Sequence, residues 1–186
     1  MVFIFRLLQP FLLLLFLAGV PGVSAAQKMR IACVGNSITE GVRLSHPTEE
    51  SYPAQLQQLL GNGYEVLNFG VSGKTVIPAN GYSATDAYQK ALHSRPDVVT
   101  IKLGTNDSRL PYRLEVPEQF DDSYRSIIHA FKALSPSPRI ILLLPAASYL
   151  TDTTRQADQI ISRLIIPHIQ QIAFEEKLEL IDLHSV

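Results

Sequence analysis

The residues best able to do chemistry lie in three short polar stretches, each following an apolar run. They are Gly35-Asn36-Ser37-Ile38-Thr39-Glu40-Gly41, then Asn68-Phe69-Gly70-Val71-Ser72-Gly73-Lys74-Thr75, then Gly104-Thr105-Asn106-Asp107. A serine in a glycine-flanked turn can expose its hydroxyl as a nucleophile. It can also be a helix N-cap, accepting a backbone N–H from the first turn of the next helix. The second stretch raises a different chemistry, because Gly73-Lys74-Thr75 matches the end of a phosphate-binding P-loop. That match fails at its first glycine, where Asn68 stands. The segment from Val76 to Gly81, which contains Pro78, offers no clean helix start to aim at a phosphate. Nucleotide binding is therefore not expected. Asn106-Asp107-Ser108 fits an N-glycosylation acceptor, and that match is read as coincidence.

These stretches need a scaffold. Segments rich in β-branched and aliphatic residues at 30–34, 65–69, 97–103, 139–144 and 178–183 are predicted strands. Helical spacing predicts helices over 51–60, 85–93, 117–134 and 154–177. In the third, Phe120, Tyr124, Ile127, Ile128 and Phe131 recur at threes and fours. In the fourth, Ile160, Ile161, Leu164 and Ile165 do so, and Pro167 is expected to bend or divide the helix. Nearly continuous apolar strands alternating with helices imply a parallel sheet covered on both faces, a three-layer α/β/α sandwich with five strands. Ligands of such sheets bind beyond the carboxyl ends of the strands, which is where all three polar stretches fall.

In this order and with these separations, the three stretches resemble blocks I, II and III of the GDSL/SGNH hydrolases, and the resemblance extends over the mature chain. It implies a flavodoxin-like SGNH fold and serine-esterase chemistry, with no metal or organic cofactor. By the resemblance Ser37 is the nucleophile, and the backbone N–H of Ser37, the backbone N–H of Gly73 and the side-chain amide of Asn106 form the oxyanion hole. Those groups suit the role, since acyl transfer creates a negative tetrahedral oxygen that uncharged N–H donors can stabilise. Asn36 and Ile38 replace the aspartate and leucine of the Gly-Asp-Ser-Leu motif. This departure points to the carbohydrate-esterase side of the family, with O-acetyl groups on sugars as the substrate and an acyl-Ser37 intermediate. Two alternatives stay open: a lysophospholipase or thioesterase, and a carbohydrate-binding remnant without catalysis.

Ser37 needs a base. In this family it is a histidine within an Asp-x-x-His motif near the C-terminus, and no such motif occurs in these 186 residues. The base and its aspartate are expected in sequence beyond Val186. Of the five histidines, His46, His93, His129 and His168 read as surface or structural residues. His184, just past the last predicted strand, is the remaining candidate for the base.

Composition limits the other possibilities. With 46% hydrophobic and 18% charged residues the chain can bury a core, and one domain over 27–186 accounts for it. A net charge of -1 gives no electrostatic reason to bind nucleic acid. The single cysteine, Cys33, excludes a disulfide within one chain and reads as core. Residues 1–26 read as an export signal: Arg6, then an apolar stretch from Phe11 to Val20, then small residues at Ser24, Ala25 and Ala26. Gln9 and Pro10 interrupt the apolar run and leave it short of the ~20 residues that span a bilayer. A secreted or periplasmic protein without a stable membrane anchor is therefore expected.

Overall fold

The five apolar segments form one parallel sheet. The computed structural model describes residues 27–186, so the expected export signal lies outside the described residues. The strands are β1 (Met29–Gly35), β2 (Tyr64–Gly70), β3 (Val98–Lys102), β4 (Arg139–Leu143) and β5 (Glu179–Ile181), in spatial order β2-β1-β3-β4-β5. The chain moves one way from β1 to β2 and the opposite way for every later strand. Right-handed crossovers then place the first connection on one face of the sheet and the later ones on the other.

Before β2 come α1 (Ser37–Glu40), α2 (Pro47–Glu50) and α3 (Tyr52–Leu60), and then α4 (Asp86–His93) and α5 (Val116–Lys132) precede β3 and β4. The apolar stripe of α5 is buried as its spacing predicts. Phe120, Tyr124, Ile127, Ile128 and Phe131 pack with Ala32, Val34, Ile101 and Leu142 of the sheet in one core. Cys33 is fully buried in β1. No helix among the described residues is long and apolar enough to cross a membrane.

The fourth predicted helix differs in two ways. Residues 154–157 are coil, because the Thr154 backbone N–H and hydroxyl both bond Asp152 Oδ1, a local alternative to helical pairing. The helix begins with α6 (Asp158–Ile160), passes through a π-helical turn (Ile161–Ile165) and continues as α7 (Ile166–Glu175). Pro167 sits in the first turn of α7, where its missing N–H is tolerated, and the Ile166 N–H reaches back to the Ile161 carbonyl. The division expected at Pro167 therefore falls in the turn just before it.

Strand register sets the level of the site. Gly35 pairs with Gly70 on one side and with Lys102 on the other, so β2, β1 and β3 end in one row. From that row the chain runs on to Ser37, Gly73 and Asn106. The three polar stretches therefore leave neighbouring strands, next to the point where the strand order reverses.

Candidate active site

Ser37 is the first residue of α1. The cap of that short helix is Asn36, whose Oδ1 accepts the Ile38 N–H at 3.3 Å, so Ser37 is free of the capping role that its turn also allowed. Ser37 is half-buried, and its hydroxyl makes no hydrogen bond among the described residues. Its backbone N–H is likewise without a partner among them.

Bonds from the end of β2 hold α1 in place. Asn68 Nδ2 donates to the Thr39 carbonyl at 2.8 Å, the Val71 N–H donates to the Gly35 carbonyl at 3.0 Å, and the Ser72 N–H donates to Glu40 Oε2 at 2.6 Å. At Gly70 a Cβ would lie 2.2 Å from the Glu40 nitrogen, so only glycine lets α1 lie this close to β2. Gly73 has φ 76°, the left-handed region where glycine carries no steric penalty. Its carbonyl accepts from Asn80 Nδ2 at 2.9 Å, while Lys74 Nζ donates to Asn80 Oδ1 at 2.9 Å. Lys74 thus pins its own loop, which accounts for the lysine without a phosphate. The Gly73 N–H has no partner among the described residues.

Asn106 is buried, with 3% of its surface exposed, and opens a single 3-10 turn after β3 (Asn106–Ser108). Its Nδ2 donates to the Lys74 carbonyl at 2.8 Å, which uses one of two amide hydrogens, and its Oδ1 accepts from Gln156 Nε2 at 2.9 Å. Asp107 is fully buried and binds the loop after β2: Oδ1 accepts the Val76 N–H at 2.8 Å and the Ile77 N–H at 3.1 Å. Burial pushes its carboxyl up to about 7, against the pull of the Ile77 and Val76 N–H groups toward the ionised form. Lys102, at the end of β3, is also buried. Its ammonium has no partner among the described residues, and burial lowers its pKa to about 8.

Ser37 and Asn106 line one open cavity of about 460 Å³, together with Ser72 and the coil from Ala146 to Leu150. Its charged lining residues are Arg43 and Arg155. Among the described residues no histidine lines it. His184 turns to another partner, its Nε2 lying 3.0 Å from Asp158 Oδ1, an oxygen that also accepts the Ser148 N–H at 2.8 Å. His168 pairs with Asp121 and His129 with Glu176, while His93 Nδ1 lies 2.7 Å from the Gln89 carbonyl. His46 is exposed at the cap position of α2. No group of three or more His, Cys, Asp or Glu among the described residues could hold a metal ion.

A free serine hydroxyl at a cavity shared with a carboxamide can support acyl transfer to serine; Ser72 lines that cavity, whereas Gly73 is not among its lining residues. Residues 33–186 match the model of the GDSL-like lipase/acylhydrolase family. The chain belongs to that family. Among curated relatives, an acetylxylan esterase of Xylanibacter ruminicola is 36% identical to this GDSL-like chain over 177 residues, covering 85% of the chain and 36% of the relative. The GDSL-like chain thus spans about a third of that relative's length. The M. smegmatis aryl esterase structure superposes with a TM-score of 0.67 at 19% identity, covering 85% of each chain. Est24, a carbohydrate acetylesterase from Sinorhizobium meliloti, superposes with a TM-score of 0.67 at 18% identity, over 83% of this chain and 84% of its own. At such identities these two likenesses speak for the fold alone.

Several site residues escaped the sequence. Glu40 and Asp107 stand inside the polar stretches and could have been marked as acids next to the proposed donors. Gln156 carries no such signal: it lies 50 positions from Asn106 in a stretch predicted to be helical.

Proposed function

We propose that this chain is a serine esterase domain that removes O-acetyl groups from carbohydrates through an acyl-Ser37 intermediate. Ser37 Oγ attacks the ester carbonyl. The oxygen that becomes negative is received by the Ser37 and Gly73 N–H groups and by the second hydrogen of Asn106 Nδ2. The proton lost by Ser37 passes, by way of water in the open cavity, to the sugar oxygen, which leaves as the alcohol when the tetrahedral carbon collapses; water then hydrolyses the acetyl-serine to acetic acid and the free Ser37 hydroxyl. The observation that carries this reading is the shared cavity of Ser37 and Asn106, with the Asn106 amide held so that an N–H remains unpaired. The acetylxylan esterase relative supports a carbohydrate acetyl ester as substrate. The export signal read in residues 1–26 supports a substrate outside the cytoplasm.

The test is hydrolysis of p-nitrophenyl acetate and of acetylated xylo-oligosaccharides, compared with longer acyl esters. Ser37→Ala is expected to abolish turnover above background, and Asn106→Ala to lower it about 10²–10³-fold. Equal turnover by wild type and Ser37→Ala would end the catalytic reading. A preference for long acyl chains would move the chain to the lipase side of the family.

A further inference from the structure

We infer that Gln156 is a positioning residue that sets the orientation of the Asn106 amide in the oxyanion hole; this rests on the function proposed above. A carboxamide presents a donor edge and an acceptor edge of nearly equal shape, and rotation by half a turn would offer Oδ1, a repelling acceptor, to the forming oxyanion. The partners of Asn106 forbid that rotation. The Lys74 carbonyl can only accept, so the atom 2.8 Å from it is Nδ2. Oδ1 then faces Gln156 and takes a hydrogen from Nε2 at 2.9 Å. The Lys74 carbonyl decides which edge of the buried amide donates, Gln156 Nε2 supplies the donor that the opposite edge then needs, and the second Nδ2 hydrogen stays available.

Gln156 can do this because its own backbone is held. The Leu110 N–H donates to the Thr154 carbonyl at 3.1 Å, and the next residue, Ala157, is fully buried. On the other side, the Asp158 N–H donates to the Leu150 carbonyl and Asp158 Oδ1 accepts the Ser148 N–H, closing the coil into a loop along the cavity. Gln156 itself lines that cavity beside Ser37 and Asn106. The half-buried Gln156 amide therefore reaches Asn106 from a fixed base.

Gln156→Leu removes the donor at similar size, and Gln156→Glu replaces it with a carboxylate that repels Oδ1. The readout is acetyl-ester turnover above the Ser37→Ala background. One hydrogen bond holding an amide corresponds to roughly a tenfold change, so Gln156→Leu is expected to lower kcat about tenfold with KM little changed, and Gln156→Glu to lower it further. Two readouts separate this role from simple structural support. In an Asn106→Ala background Gln156→Leu should cost nothing more, because the group it orients is gone. The deficit of Gln156→Glu relative to wild type should shrink as pH falls through the carboxyl range, where the protonated acid regains a donor. Equal losses in the wild-type and Asn106→Ala backgrounds, or wild-type kcat in Gln156→Leu, would overturn the inference. If Ser37→Ala and Asn106→Ala leave turnover at the wild-type level, the functional reading has failed instead.

Discussion

The carboxylate of Asp107 accepts the backbone N–H of Val76 at 2.8 Å and so fastens the turn after β3 to the loop after β2, the two segments that bring Asn106 and Gly73 to the site. Burial of the carboxyl that makes this bond has a measurable pH signature. In the fold the carboxyl keeps its proton up to about pH 7, whereas the unfolded chain releases it near 3.8. Between those values the folded state binds more protons, so stability falls as pH rises, by on the order of a few kcal/mol at about 1.4 per unit. Asp107→Asn, whose Oδ1 can still accept both N–H groups, is expected to flatten this slope. Urea titrations from pH 4.5 to 8 would show it, and an unchanged slope would remove Asp107 as its cause.

Lys102 has the opposite signature. Its folded ammonium deprotonates at about 8 while the unfolded one persists to 10.5, so the unfolded state binds more protons in that interval and stability rises with pH. Burial holds Tyr52, Tyr82 and Tyr124 protonated beyond their usual range, which ends the rise above pH 10. Lys102→Met should raise the melting temperature at pH 7, since it removes a buried charge without a partner among the described residues, and should flatten the alkaline limb. A lower melting temperature would mean that the ammonium has a partner.

Gly70→Ala tests the wedge between β2 and α1. The added methyl meets the Glu40 backbone at 2.2 Å and must push α1 aside. A loss of about 1–3 kcal/mol is expected. Esterase turnover should fall even in conditions where the variant is fully folded, because α1 carries Ser37. Full activity in the folded variant would show that α1 moves without disturbing the serine.

His184→Ala is expected to leave ester turnover unchanged, because the ring faces Asp158 and does not line the cavity. No histidine among the described residues lines that cavity. Added imidazole should enter the open cavity and raise wild-type turnover more than it raises that of Ser37→Ala. Equal increases in the two proteins would exclude Ser37 as the group being activated.

The order of elements and the sides of the sheet were legible because periodicity is a property of single segments. The stripe from Phe120 to Phe131 is as buried as its spacing predicts, and the five strands pair in parallel. The three polar stretches were legible for the same reason, each being contiguous. Contacts between distant segments were not. Gln156 meets Asn106 only because Asp152 bonds Thr154 and delays the helix, and no pattern of apolar residues encodes that competition. Asp107 stood in plain view as a polar residue, but its burial depends on a loop 31 positions earlier.

The π-helical turn at Ile161–Ile165 makes segment length, and not only composition, a determinant of the site. Deleting one residue there would restore ordinary winding and draw the segment upstream toward α7 by up to about 1.5 Å, the rise of one helical residue. Asp158, Ala157 and Gln156 would move with it. An insertion or deletion in this turn would therefore change the chemistry at Ser37 without altering any residue that touches the substrate.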